Sequence, residues 1–280
     1  MASTAGEDDA PVEVRFFGGA PPSDAQLRAA APHPCRVRVR PDLLPRAEAE
    51  RLRRAGVTHV ELDALSFHGP ALRAVGRRYR AAFLAEQAAG LRAMGLSVGG
   101  VLAPGLPEQD HDDAVEDARI AATQWSFARL HPVLVLDGSA LRELHARRRY
   151  TALSLAEALT VCHAQLDVLE AAGVDVVRVG LQPGPDGFGR AVAGPAHPGF
   201  RELVEARRTL DRLRAMLVGT PRGAVVTVTC APADQTRTRG ALHANVRTLR
   251  AELGLAALQV AEDPALARGT WRIHVHEETA

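Results

Sequence analysis

The sequence contains no lysine: all 34 of its Lys/Arg positions are arginine. GC-rich coding is the plain source of that bias, yet the absence excludes chemistry. There is no Walker A lysine, no Schiff-base lysine and no lysine general base. Cysteine is scarce as well. Cys35, Cys162 and Cys230 lie far apart, and none forms a CxxC or CxxxCxxC spacing. Scattered thiols of this kind read as reduced core residues. Aromatic residues make up 4% of the chain, too few for a large base-stacking platform. No apolar run approaches a membrane span. The opening MASTAGEDDAPVEV is acidic and lacks the apolar segment of a secretory signal, so a cytoplasmic location and no membrane contact are expected. The formal charge of +1 gives no global pull toward nucleic acid. No GxSxG occurs, and the stretch GPDGFG (184–189) does not match GxGxxG.

The chain has 280 residues, 46% of them hydrophobic and 24% charged, an ordinary globular balance. Strand-like runs recur: VEVRFF (12–17), RVRVR (36–40), THVELDA (58–64), SVGGVL (97–102), a run over 127–136 and DVVRVGL (175–181). Helical sequence separates them, over 45–55, 70–93, up to 122, 139–147, 154–172 and 200–217. Alternating strands and helices argue for a parallel sheet in an open or partial β/α barrel. Ligands of such folds sit at the carboxyl ends of the strands, here Gly18, Gly19, Asp42, Glu61 to Ser66 and Pro104 to Pro107. After residue 218 the pattern changes to a strand (224–229), one helix over 237–253 and strands near 257–261 and 271–275. The expected organisation is a tail over 1–11, a barrel over 12–218 and a small βαββ appendage over 219–280.

Several polar clusters have a plain structural reading. Glu61 and Asp63 alternate with apolar residues and so share one face of a strand; they read as a polar pair at the mouth of a site or as a solvated strand end. QDHDD (109–113) precedes a helix, whose dipole favours acidic residues at that end. His274 and His276 share a strand face, and no further zinc ligand is evident. Arg77, Arg78 and Arg80, then Arg147 to Arg149, then Arg237, Arg239, Arg247 and Arg250, form basic groups that suit RNA phosphates or a solvated helix face. No catalytic acid/base pair or nucleophilic triad can be assembled from spacing.

Colinear phrases carry a resemblance. VEVRFFGGAPP, RVRPD, GVTHVELDALSFHGPALRAVGRRY, PGLP, HPVLVLDGSALRELHARRRYTALSLAEA, VVRVGLQP, AGPAHPGFRELVEAR, TRTRGALHANVRTLRAELGL and EDPALARGTWRI occur in that order across residues 12–273. The chain resembles bacterial radical S-adenosylmethionine (SAM) proteins related to the radical-SAM half of the Elongator catalytic subunit. The resemblance implies a partial (β/α) barrel of radical-SAM type. It also implies a [4Fe–4S] cluster held by a CxxxCxxC loop, bound SAM, and transfer RNA as the kind of substrate. The loop is absent here, as is the first βα unit that would carry it. Where relatives tend to read VELGVQSF, this chain has Asp63 and Leu65; Val101 replaces a glutamine. The positions retained for SAM binding are Gly18, Gly19, Glu61, Ser66, Arg77 and Gln182.

The expectation is therefore a degenerate radical-SAM homologue with no catalytic residues, no metal and no cluster, in which SAM alone remains a candidate cofactor. It would act as a binding module, with a protein partner or self-association along the open barrel edge and RNA as a further candidate. The alternative is an active enzyme whose cluster segment lies outside this chain.

Overall fold

The computed structural model describes residues 14–181, 183 and 188–276. The chain divides into two compact units between Ala196 and His197, earlier than the boundary at 218 expected from sequence. The cause is the helix over 200–216, whose Leu210 and Leu213, with Leu217 just beyond, belong to the C-terminal apolar cluster.

In the first unit, strands alternate with helices: β1 (Val14–Gly19), α1 (Asp24–Ala30), β2 (Cys35–Val39), α2 (Arg46–Arg54), β3 (Val57–Leu65), α3 (Gly69–Ala74), α4 (Ala81–Ala93), β4 (Ser97–Leu102), α5 (His111–Ala122) and β5 (Phe127–Leu130). There follow β6 (Val135–Leu136), α6 (Ala140–Ala146), α7 (Leu155–Ala171), β7 (Asp175–Val179) and β8 (Ala191–Ala193). Six strands form one sheet in the order β1-β2-β3-β4-β5-β7, every pair parallel. This is the open β/α architecture that the strand–helix alternation predicts. Among the described residues, no helix is long and apolar enough to cross a membrane.

The pleat divides the sheet residues into two sets. Val37, Val39, Val60, Leu62, Val98, Ala128 and Leu130 are buried, with at most 1% exposure. Leu52 of α2, Leu84 of α4, Ala118 of α5 and Leu166 of α7 are buried with no exposure at all. The intervening positions carry Arg38, Glu61, Arg129 and Arg178. Two glycines allow close packing on both sides of β4. A methyl group on Gly99 would run into Phe127, and one on Gly100 into Trp125 and the Leu62 carbonyl. Helix starts are fixed by side-chain caps: Asp110 and Asp113 form a capping box on α5, as do Ser154 and Glu157 on α7. The acidic QDHDD stretch is thus in part a helix cap.

Two elements expected from sequence are broken. The helix expected over 70–93 is α3 and α4, separated by Gly76 at φ +73° and by non-helical residues 77–80. The strand expected over 127–136 ends at Leu130; beyond Pro132 the chain turns away, and β6 pairs antiparallel with β8.

The second unit holds α8 (Phe200–Met216), β9 (Val225–Cys230), α9 (Gln235–Arg239), α10 (Ala244–Leu253), β10 (Ala257–Glu262) and β11 (Trp271–His276). Its sheet runs β10-β9-β11, with β10 parallel and β11 antiparallel to β9. The expected βαββ pattern is present. Its single helix is instead two, because Gly240 (φ +70°), Leu242 and His243 adopt left-handed backbone.

Candidate functional site

Register places one charged row across the centre of the six-stranded sheet. Arg38 is opposite Glu61, Glu61 opposite Gly99, Val101 opposite Arg129, and Arg129 opposite Arg178. Since Gly99 and Val101 carry no bulky polar side chain, Arg129 reaches across β4 to β3. Its Nε donates to Glu61 Oε2 at 2.7 Å. Arg38 Nε stands 3.7 Å from the other carboxylate oxygen. Glu61 has no exposure and Arg129 only 7%, so the pair is desolvated. Such a pair is held in place by the cost of removing either partner more than by its net attraction.

Two residues further toward the strand end, Asp63 joins the same network. Its Oδ1 accepts from Arg38 Nη2 at 2.5 Å and its Oδ2 from Arg77 Nη2 at 2.9 Å. Arg77 arrives from the break between α3 and α4. Tyr79, in the same segment, donates its hydroxyl to the carbonyls of Asp63 and Ala64 at 3.2 and 3.1 Å. Burial pushes the Tyr79 phenol well above its usual range, so it acts as a neutral donor. Just past β5, burial holds the His131 imidazole down at about 3, helped by the positive charges of Arg38, Arg129 and Arg178. His131 is therefore neutral at any ordinary pH.

A second network lies at the rim. The Asp117 carboxylate of α5 accepts from Ser66 Oγ at 2.5 Å, from the Phe67 amide at 2.6 Å and from Gln109 Nε2 at 2.8 Å. Gln109 Oε1 in turn accepts the amides of Gly105 and Leu106. Burial raises Asp117 to about 6 against the pull of these three donors. At neutral pH it is an anion that binds two strand-end loops to a helix.

The positions singled out from sequence are only partly brought together. Glu61 and Arg77 belong to one connected network through Arg38 and Asp63. Ser66 is fully buried and committed to Asp117. Gly18 and Gly19 end β1; Gly19 sits at φ +72°, and its carbonyl accepts the Arg40 amide. Gln182 lies outside the described residues. Asp42 pairs with Arg40 at 2.6 Å, which holds its carboxyl below the usual range. His274 and His276 meet edge to face with centroids 4.6 Å apart, and His276 also contacts Thr227 Oγ1. Sequence reasoning passed over Arg38, Arg129, His131, Arg178 and Asp117, and read Gln109 only as part of an acidic stretch before a helix. The available signal was an arginine flanked by apolar residues inside a short strand, as in FARL and DVVRV.

The described cysteines do not fit an iron–sulfur cluster. Cys35 lies in β2, Cys162 in α7 and Cys230 in β9, all three buried. Burial pushes the Cys162 thiol far up, away from the thiolate that a metal requires. Among the described residues, no group of three His, Cys, Asp or Glu side chains is arranged to hold a metal ion.

Comparison with known proteins gives these features a lineage. Residues 125–212 match the Radical_SAM C-terminal domain. A tRNA uridine(34) acetyltransferase of Dehalococcoides mccartyi is 29% identical over 119 residues, covering 41% of this chain and 26% of that protein. The chain thus aligns with about a quarter of the length of this curated relative. The fold is that of the archaeal Methanocaldococcus infernus Elp3 with an N-terminal deletion, with a TM-score of 0.58 and 17% identity over 72% of this chain and 54% of that one. A weaker likeness, TM-score 0.48 and 18% identity, links 57% of the chain to 40% of Escherichia coli coproporphyrinogen III oxidase, HemN. In its matched C-terminal domain this chain is similar to radical-SAM proteins, and its fold is like that of the archaeal Elp3.

Proposed function

We propose that this chain is a degenerate member of that lineage, a cytoplasmic barrel that has given up SAM cleavage and works as a binding or partner module. One observation carries the reading: the strand-end carboxylates are already neutralised by arginines of the same sheet and of the α3–α4 break. Glu61 lies between Arg38 and Arg129, and Asp63 between Arg38 and Arg77. A sulfonium ligand with its own ammonium group is attracted by free carboxylates and repelled by guanidinium; this face offers the second. The buried, separated cysteines support the same reading. A protein strand or a second copy of this chain would add along the outer edge of β1, a terminal strand of the sheet. RNA on the exposed arginines is the lesser candidate.

The test is a calorimetric titration of the anaerobically reconstituted chain with SAM, with iron measured on the same sample. No SAM heat and no stoichiometric iron is the expected result. SAM binding with about four irons per chain would overturn it. The chain would then be a working radical-SAM enzyme acting on a transfer RNA base, its cluster segment supplied from outside these residues.

A further inference from the structure

The charged row is not balanced. Among the described residues, Arg38, Arg77, Arg129 and Arg178 line up with two carboxylates, Glu61 and Asp63. Arg178 is the register partner of Arg129 on the neighbouring strand, so the two share a face and repel each other. Arg178 donates through Nε to the Gly180 carbonyl at 3.3 Å, and no carboxylate among the described residues is recorded in an ion pair with it. The nearby charges are otherwise engaged: Arg40 pairs with Asp42, and Arg36 lies over the Phe127 ring at 4.4 Å. Two polar atoms at the same end, Arg77 Nη1 and His131 Nε2, are buried without a hydrogen-bond partner. Arg77 Nη1 is an unmet donor, and His131 Nε2 is one in the tautomer protonated at that nitrogen; unmet donors among positive charges are what an oxyanion satisfies.

We propose that the strand-end face of this sheet binds a small phosphate-bearing ligand among Arg77, Arg129, His131 and Arg178. The inference rests on the non-catalytic reading above and gives its binding module a ligand class. Guanidinium groups take phosphate oxygens two at a time, and a neutral imidazole adds one N–H without adding charge.

The experiment titrates the intact chain with inorganic pyrophosphate by calorimetry, with SAM and a tRNA transcript in parallel arms. Saturable binding is expected for pyrophosphate, weakened about tenfold or more in Arg178→Gln. Circular dichroism checks that variant's fold, and Arg77→Gln, expected to weaken binding likewise, replaces it should the fold fail. No pyrophosphate heat, or equal affinity in folded Arg178→Gln and Arg77→Gln, overturns the proposal. Arginine-dependent binding of tRNA without binding of pyrophosphate also overturns it and assigns the row to nucleic acid. The SAM arm separates the two readings. Silence with both ligands removes the phosphate site and leaves the non-catalytic reading standing; SAM heat with bound iron removes the non-catalytic reading, and the phosphate site with it.

Discussion

The two sides of the six-stranded sheet are built from the same strands and obey opposite rules. One side is Val37, Val39, Val60, Leu62 and Leu130, sealed from solvent and interchangeable in kind, because burial of apolar area does not depend on direction. The other is Arg38, Glu61, Asp63, Arg129 and Arg178, where each group is specified by its partner and an error in one strands another. The first side makes the fold robust; the second makes it particular. This is how a fold can resemble that of the archaeal Elp3 at 17% identity: the apolar side tolerates exchange that the charged side does not.

Breaking the charged side should cost most. Arg129→Met leaves Glu61 buried with only the longer 3.7 Å contact to Arg38, and should lower unfolding free energy by about 3–5 kcal/mol. Adding Glu61→Leu should restore most of that, as read by denaturant unfolding of the single and double variants. Failure of the second change to rescue the first would mean that the two do not act as a pair. On the apolar side, Leu62→Ala should cost about 2–5 kcal/mol through lost burial and a cavity, with no second-site rescue of the same kind.

The rim gives a pH signature. Asp117 is raised from 3.8 to about 6 by burial. Its protonated form therefore favours the fold, and that contribution is present below pH 4 and lost as pH rises through 6. Relative to Asp117→Asn, wild-type stability should decline by up to about 3 kcal/mol between pH 4 and 6; a parallel pH dependence of the two proteins would refute the assignment. The smallest effect belongs to solvent. Arg46→Ala removes an exposed i,i+4 pair with Glu50 and should change stability by less than about 1 kcal/mol, which thermal melts at two salt concentrations would check.

Much of the fold was legible because period-2 and period-3.6 patterns survive in short windows. RVRVR and THVELDA each expose their alternation, and the helices after them end in glycine. The breaks were less legible. Nothing local distinguishes the Gly76 turn from a glycine tolerated inside a helix; it is set by Arg77 and Tyr79 reaching back to β3, a contact distant in sequence. The run at 127–136 reads as one strand because Pro132 is compatible with extended backbone, while the pairing of β6 with β8 spans more than fifty residues. At the site, Glu61 and Asp63 could be seen to share a face. That arginines from β2 and β5 would neutralise them depends on sheet order and register, which no window of sequence contains.

The Asp117 carboxylate has a consequence for how this protein can change. It collects Ser66, the Phe67 amide and Gln109, and through Gln109 the Gly105 and Leu106 amides. Substitutions at these positions are not independent events: the effect of one depends on which of the others is already altered, so double-mutant cycles among Ser66, Gln109 and Asp117 should show non-additivity. Such a hub narrows the paths by which the rim can drift, and it holds the strand-end loops to one arrangement.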